Sequence, residues 1–153
     1  MATIVNPTPI STSTFGGMWI NQLQIFFPID EQKGFIQGSL LPYDGTHLLA
    51  TGGRSVRVFN LAAKRKTDAS LDSMLTGLVA ELARQSKTAT AVRFLSVSSL
   101  DPSKPVLVTV FFADDTHYTI ADCYALAATD SVFAGVFTGT LTKVATLSGL
   151  TVA

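Results

Sequence analysis

Residues 68–87 read DASLDSMLTGLVAELARQSK, the one stretch of this chain with an evident helical period. Leu71, Met74, Leu75, Leu78, Val79 and Leu82 recur at the i, i+3, i+4, i+7 spacing that puts apolar side chains on one stripe of a helix. Burying such side chains is worth about 1.5–3 kcal/mol each before entropy is subtracted. Asp68 or Ser70 can cap the start by accepting from the free N–H groups of the first turn. Asp72 at the beginning and Arg84 and Lys87 at the end suit the helix dipole. The spacing therefore predicts a helix over about 70–87 with its stripe against a core. The opposite side carries Ser73, Thr76, Gly77, Ala80 and Ala83 where Lys, Glu or Gln would be usual. Small neutral residues let another backbone come close, so these five are candidate subunit contacts.

Around the helix lie strand-like runs. MWINQLQIFF (18–27) alternates with period two, placing Trp19, Leu23, Ile25 and Phe27 on one face. GFIQGSLLPY (34–43) returns as its partner after a charged turn at 28–34. Asp44-Gly45 and Gly52-Gly53 mark turns, and SVRVFNLA (55–62) reads as another strand. Beyond the helix, TAVRFLSVSS (90–99), PVLVTVFFA (105–113) and THYTI (116–120) read as strands separated by DPSKP and Asp114-Asp115. Residues 121–130 fit helix, strand or loop. SVFAGVFTGTLTKVATL (131–147) is β-branched and aromatic and reads as a long strand, with Gly135 and Gly139 marking a bulge or close backbone approach. The expected fold class is α+β, mainly β: an antiparallel sandwich or barrel with one central amphipathic helix packed on it. Residues 1–17 form an extended, uncharged Pro/Ser/Thr arm, and 18–153 a single β-rich domain without internal repeat.

Composition narrows the function. The 153 residues carry eleven basic and eleven acidic side chains, and charged residues are only 14% of the chain, against about 25% in ordinary soluble domains. So little surface charge near neutrality favours association, and gives no bulk field to attract nucleic acid. Charge is also unevenly placed: residues 54–93 are mainly basic and 101–130 mainly acidic. Such polarity can pair inside the fold or orient contacts between subunits. No apolar run reaches the length of a membrane span, and the N-terminus lacks the basic and apolar regions of a signal peptide.

Candidates for chemistry are sparse. Cys123, with His47 and His117, supplies the ingredients of a Cys/His nucleophile, but no local signature surrounds the cysteine. As a lone cysteine it is expected to be a small buried residue. Asp114, Asp115 and His117 form D-D-x-H, which could ligate a metal, though aspartates at a hairpin tip already serve local backbone hydrogen bonds. Lys64-Arg65-Lys66 is the one basic cluster, read as solvated charge in a loop before the helix. Gly52-Gly53-Arg54 lacks the spacing of a phosphate-binding loop. The expectation is no enzyme, no catalytic residue, no cofactor and no metal.

The arm MATIVNPTPISTSTFGG, the hairpin MWINQLQIFFPIDEQKGFIQGSLLPY, the single helix SLDSMLTGLVAELARQSK and the Thr/Gly/Ala-rich closing segment together resemble tailed-bacteriophage virion proteins. The likeness is to the tail-tube and ring-forming tail or baseplate type. That resemblance implies a structural subunit of the virion, assembled in the host cytoplasm into a ring or tube of tail, neck or baseplate. Its partners would be copies of itself and neighbouring virion proteins, with no membrane and no sequence-specific nucleic acid. A tube conducting DNA is expected to have an acidic lumen, here from Asp30, Glu31 or the late aspartates. A capsid decoration protein is the nearest variant; a small hydrolase or a monomeric ligand-binding β domain are alternatives of other classes.

Overall fold

A computed structural model describes residues 3–5, 14–15, 18–29, 33–42, 49, 51–88, 91–98, 105–149 and 151–152. Strand β1 (Thr3–Val5) pairs antiparallel with β2 (Thr14–Phe15) and parallel with β9 (Thr151–Val152), so the described parts of the arm join the end of the same chain. The main body starts with three strands: β3 (Met18–Phe26), β4 (Phe35–Pro42) and β5 (Arg54–Val58). Two helices follow, α1 (Leu61–Thr67) and α2 (Ala69–Ser86). The pattern then recurs, with β6 (Val92–Val97), β7 (Val108–Phe112) and β8 (His117–Ile120), then α3 (Cys123–Thr129) and α4 (Ser131–Leu147). Each half is thus a three-strand meander, a seven-residue helix and a long helix, a repeat of element order that the residues themselves do not announce.

The six strands form one antiparallel sheet in the order β5-β4-β3-β6-β7-β8. The halves meet at its centre, where Phe26 lies opposite Phe94 and Ile25 opposite Leu95. Period two divides the side chains. Leu23, Ile25, Ile36, Leu40, Val56, Leu95, Val97, Val108 and Val110 are buried and form one core with the helices. The α+β class and the helix predicted from 68–87 are therefore present, and the expected hairpin of 18–27 with 34–43 is formed. The sheet is open, however, and closes into no barrel. A helix layer, rather than a second sheet, covers its inner face.

That layer contains the largest departure from the sequence reading. Residues 131–147 are helix α4, not a strand. Val132, Phe133, Val136 and Phe137 favour strands locally, but Phe133, Phe137, Leu141 and Val144 are buried at helical spacing. Asp130 caps the helix by accepting from the Phe133 amide at 3.1 Å. Thr138 and Thr140 donate to the carbonyls of Ala134 and Val136 one turn back, which accommodates them in a helix. Gly135 and Gly139 face open space and mark neither bulge nor close approach. Here tertiary packing overrides local preference. A shorter segment also differs, the Lys64-Arg65-Lys66 cluster lying on α1 instead of in a loop, while of the three readings open for 121–130 the helix is the one present, at Cys123–Thr129.

On α2, Leu71, Leu75, Leu78 and Leu82 are buried as the stripe predicts, with Met74 and Val79 packed at its edge. Asp68 is the cap, accepting from the Leu71 amide at 3.1 Å. The charged ends of the long helices interlock. Lys143 of α4 binds Asp68 at 2.9 Å, and Arg84 of α2 binds Asp130 at 2.8 Å. Cap and cation meet at both ends of an antiparallel pair, so each helix start receives positive charge from its neighbour's later turns.

Candidate interaction surface

The outer face of the sheet is built by the residues out of phase with the core. Phe26 stands opposite Phe35 on one side and Phe94 on the other; Phe94 stands opposite Phe111, and Phe111 opposite His117. One step beyond the Ile36–Val58 pair, Phe59 falls next to Phe35 in the same register. One aromatic ring per strand therefore makes a row across the five strands β4, β3, β6, β7 and β8, with Phe59 just past the end of β5. The four central phenylalanines are half-buried, His117 is exposed, and Phe59 is 75% exposed.

The rings contact one another along the row. Phe26 and Phe35 have centroids 4.3 Å apart and planes at 23°, and Phe26 and Phe94 are 4.2 Å apart at 32°. Phe94–Phe111 and Phe111–His117 follow at 5.9 Å each. Near-parallel rings this close on neighbouring strands must stand upright, face to face, with their edges turned outward. Arg57 lies 5.8 Å over the Phe59 ring at one end of the row. At the other end the β7–β8 turn carries Asp114 and Asp115. Phe26, Phe35, Phe94 and Phe111 of the row themselves line a cleft of about 690 Å³, together with Phe27, Ile29, Gly34 and Arg93.

Beside the aromatic row runs a polar one. Arg57, Gln37, Gln24, Ser96, Thr109 and Thr119 are opposite one another in turn across the six strands. Gln37 donates its amide N–H to the Gln24 carbonyl oxygen. The face is thus an apolar band one residue wide with a hydrogen-bonding margin. Each strand alone shows an aromatic out of phase with its aliphatic positions; that these align into a row depends on register, which no single strand reveals.

The predicted contact residues on α2 are divided by the structure. Ser73, Thr76 and Ala80 are exposed, while Gly77 and Ala83 are half-buried. Ser73 and Gly77 border the groove between α2 and α4, facing Gly139 and Thr142. Thr76 accepts a hydrogen bond from Arg65 at 3.1 Å. The smooth back is therefore partly engaged with α1 and α4, leaving Ala80 at its most open point.

Cys123 is buried at the first position of α3, and burial, with Asp122 beside it, pushes the thiol up to about 12. It is a thiol at neutral pH, which is unsuited to nucleophilic attack. Asp114 accepts from the Thr116 amide and hydroxyl, and Asp115, at φ 68°, pairs with Arg93 at 3.0 Å. These are turn-forming roles, and His117 points into the aromatic row. Among the described residues no three His, Cys, Asp or Glu side chains gather as a metal site. His47, Asp30, Glu31 and the Asp44-Gly45 turn lie outside the described residues.

Glu81, which the apolar pattern passes over, is 3% exposed on α2. Arg84 binds both its oxygens, at 2.6 and 2.7 Å, and Gln85 adds a bond at 2.9 Å. The buried carboxylate is thereby satisfied, as a buried charge must be. Hydrogen bonds to Glu81 and then Asp130 raise the Arg84 guanidinium further above its usual range. The polarity between the basic middle and acidic late segments is in part consumed inside the fold by the Arg84–Asp130 and Arg93–Asp115 pairs. Among the described residues no helix is long and apolar enough to cross a membrane.

Comparison with protein-family models, with curated proteins and with solved structures finds no match.

Proposed function

We propose that this chain is a structural subunit of a phage particle, assembling with copies of itself and neighbouring virion proteins into a ring or tube of the tail, neck or baseplate. The observation that carries the reading is the outer sheet face, where a continuous aromatic row is left half-buried by the chain's own fold. An apolar band of this kind on a chain with few charges marks an association surface. The likeness of arm, hairpin and helix to ring-forming tail proteins gives the particle as its setting. The α2 back around Ala80 is a second contact, reached once neighbours are held by the first.

Electron microscopy of the purified full chain tests the proposal. Rings or tubes of regular diameter support it. A field of separate small particles at high protein concentration overturns it. Trimers or dimers without rings point instead to a capsid decoration role.

A further inference from the structure

We infer that this chain is a fused pair: its two halves are copies of one unit, and the surface along which they meet is an interface that either unit can also offer to a second copy of itself. This goes beyond the assembly reading and does not depend on it. Strand register, helix caps and charge carry it.

The sheet ladder repeats residue for residue. In the first half Ile36 lies opposite both Ile25 and Val58, and Gly38 opposite both Leu23 and Val56. In the second half Val108 lies opposite both Val97 and Ile120, and Val110 opposite both Leu95 and Tyr118. One constant step in sequence turns β3 and β4 into β6 and β7. Where the halves join, Gln24 pairs with Ser96, its own counterpart, and the flanking pairs Leu23–Val97 and Ile25–Leu95 are counterparts of each other. That pattern is a pseudo-two-fold axis normal to the sheet, passing through the Gln24–Ser96 pair.

The helices obey the same axis. The β4–β5 connection is longer than the β7–β8 turn, which resets the spacing once. From Val58 and Ile120 onward the spacing is again constant. Asn60 and Asp122 cap α1 and α3, each accepting from the amide three residues on. Asp68 and Asp130 each end a short helix and cap a long one. Leu71, Leu75 and Leu82 of α2 are buried, and so are their counterparts Phe133, Phe137 and Val144 of α4. A left-handed residue follows each long helix, Lys87 at φ 58° and Gly149 at φ 86°.

An interface with this symmetry is isologous: each unit presents the same patch, so two like units match across it as two unlike ones do. Charge agrees. Asp130 meets Arg84 at one end of the helix pair, and its counterpart Asp68 meets Lys143 at the other. The two cations are not counterparts, since Lys143 takes the place of Glu81, so each unit carries its own means of holding the aspartate. Two first units would set Arg84 on Asp68 twice, and two second units Lys143 on Asp130 twice. Neither like pair leaves an unmatched aspartate. The central strands also stay apolar, with Leu23 opposite Ile25 in one like pair and Leu95 opposite Val97 in the other. Fusion makes the unlike pair prevail by raising its effective concentration.

Cutting the folded full chain between its halves tests this. A protease recognition sequence inserted after Thr88 lengthens only the link, and circular dichroism checks that the uncut chain is folded. An uncut chain that fails to fold overturns the inference, because a link between partners tolerates extra length. After cutting, the melting midpoint is expected to rise more steeply with protein concentration than that of the uncut chain. Native mass spectrometry of the cut protein, unfolded in urea and refolded by dilution, should read the masses of unlike and of like pairs. Pieces that stay single overturn the interface. Unlike pairs alone overturn the offer of that surface to a second copy. Either failure leaves the assembly proposal standing, since rings or tubes of the intact chain are read by microscopy.

Discussion

Asp130, the residue that starts α4, holds Arg84 from the last turn of α2 at 2.8 Å. At the other end of the same helix pair Asp68, which starts α2, holds Lys143 of α4 at 2.9 Å. Both aspartates also accept from the amide three residues on, so each caps its own helix and clamps its neighbour. The two long helices are locked end to end by reciprocal use of one residue type.

Acid should loosen this clamp first. Backbone bonding to Phe133 and the Arg84 contact hold the Asp130 carboxyl down at about 2, and Lys143 with Ser70 holds Asp68 still lower. An unfolded aspartate titrates near 3.9. Folded values below that mean stability that is complete above about pH 4 and is lost as pH falls toward 2 and below. Melting temperature followed against pH should fall over that window. Asp130→Asn keeps a capping oxygen but loses the ion pair, so its deficit relative to wild type should shrink steadily as pH drops from 4 to 2. A deficit of constant size would show that the charge contributes nothing.

The Cys123 thiol should be silent in the native protein. With burial raising it to about 12, it should not react with a disulfide reagent at pH 8 until the chain unfolds. Rapid native-state labelling would contradict the buried placement.

The two sides of α2 should separate stability from association. Leu75 is fully buried, so Leu75→Ala should lose about 2–5 kcal/mol in denaturant unfolding. Ala80 is exposed, so Ala80→Glu should change stability by less than about 0.5 kcal/mol while weakening assembly. Normal assembly of Ala80→Glu would make that face plain solvent-exposed surface.

Helix α4 provides the sharpest contrast with the sequence reading. Gly135 sits in an exposed helix interior with open space where a methyl group would project, so Gly135→Ala should stabilise by about 0.5–1 kcal/mol. Were 131–147 the kinked strand its composition implies, the same change would not give that gain. Thermal or denaturant unfolding of this one variant decides it.

What is legible in the residues follows from how local each signal is. The α2 stripe and the hairpin of β3 and β4 announce themselves through period and turn chemistry alone. α4 does not, because its Val, Thr and Phe residues favour strands locally, and its helical burial at Phe133, Phe137, Leu141 and Val144 is enforced by the sheet and α2. The aromatic row is half visible: Phe26 and Phe94 stand out of phase with their aliphatic neighbours, but their adjacency is a property of strand register. Glu81 escapes a reading by pattern because a carboxylate on an apolar stripe gains its meaning only from Arg84 and Gln85 around it.

Self-association of this chain is the central claim. Light scattering coupled to size exclusion, over rising concentrations of the full chain, reads it directly. The expected result is a molar mass that climbs well above the 16.2 kDa of one chain. A mass fixed at 16.2 kDa across the whole range would contradict it.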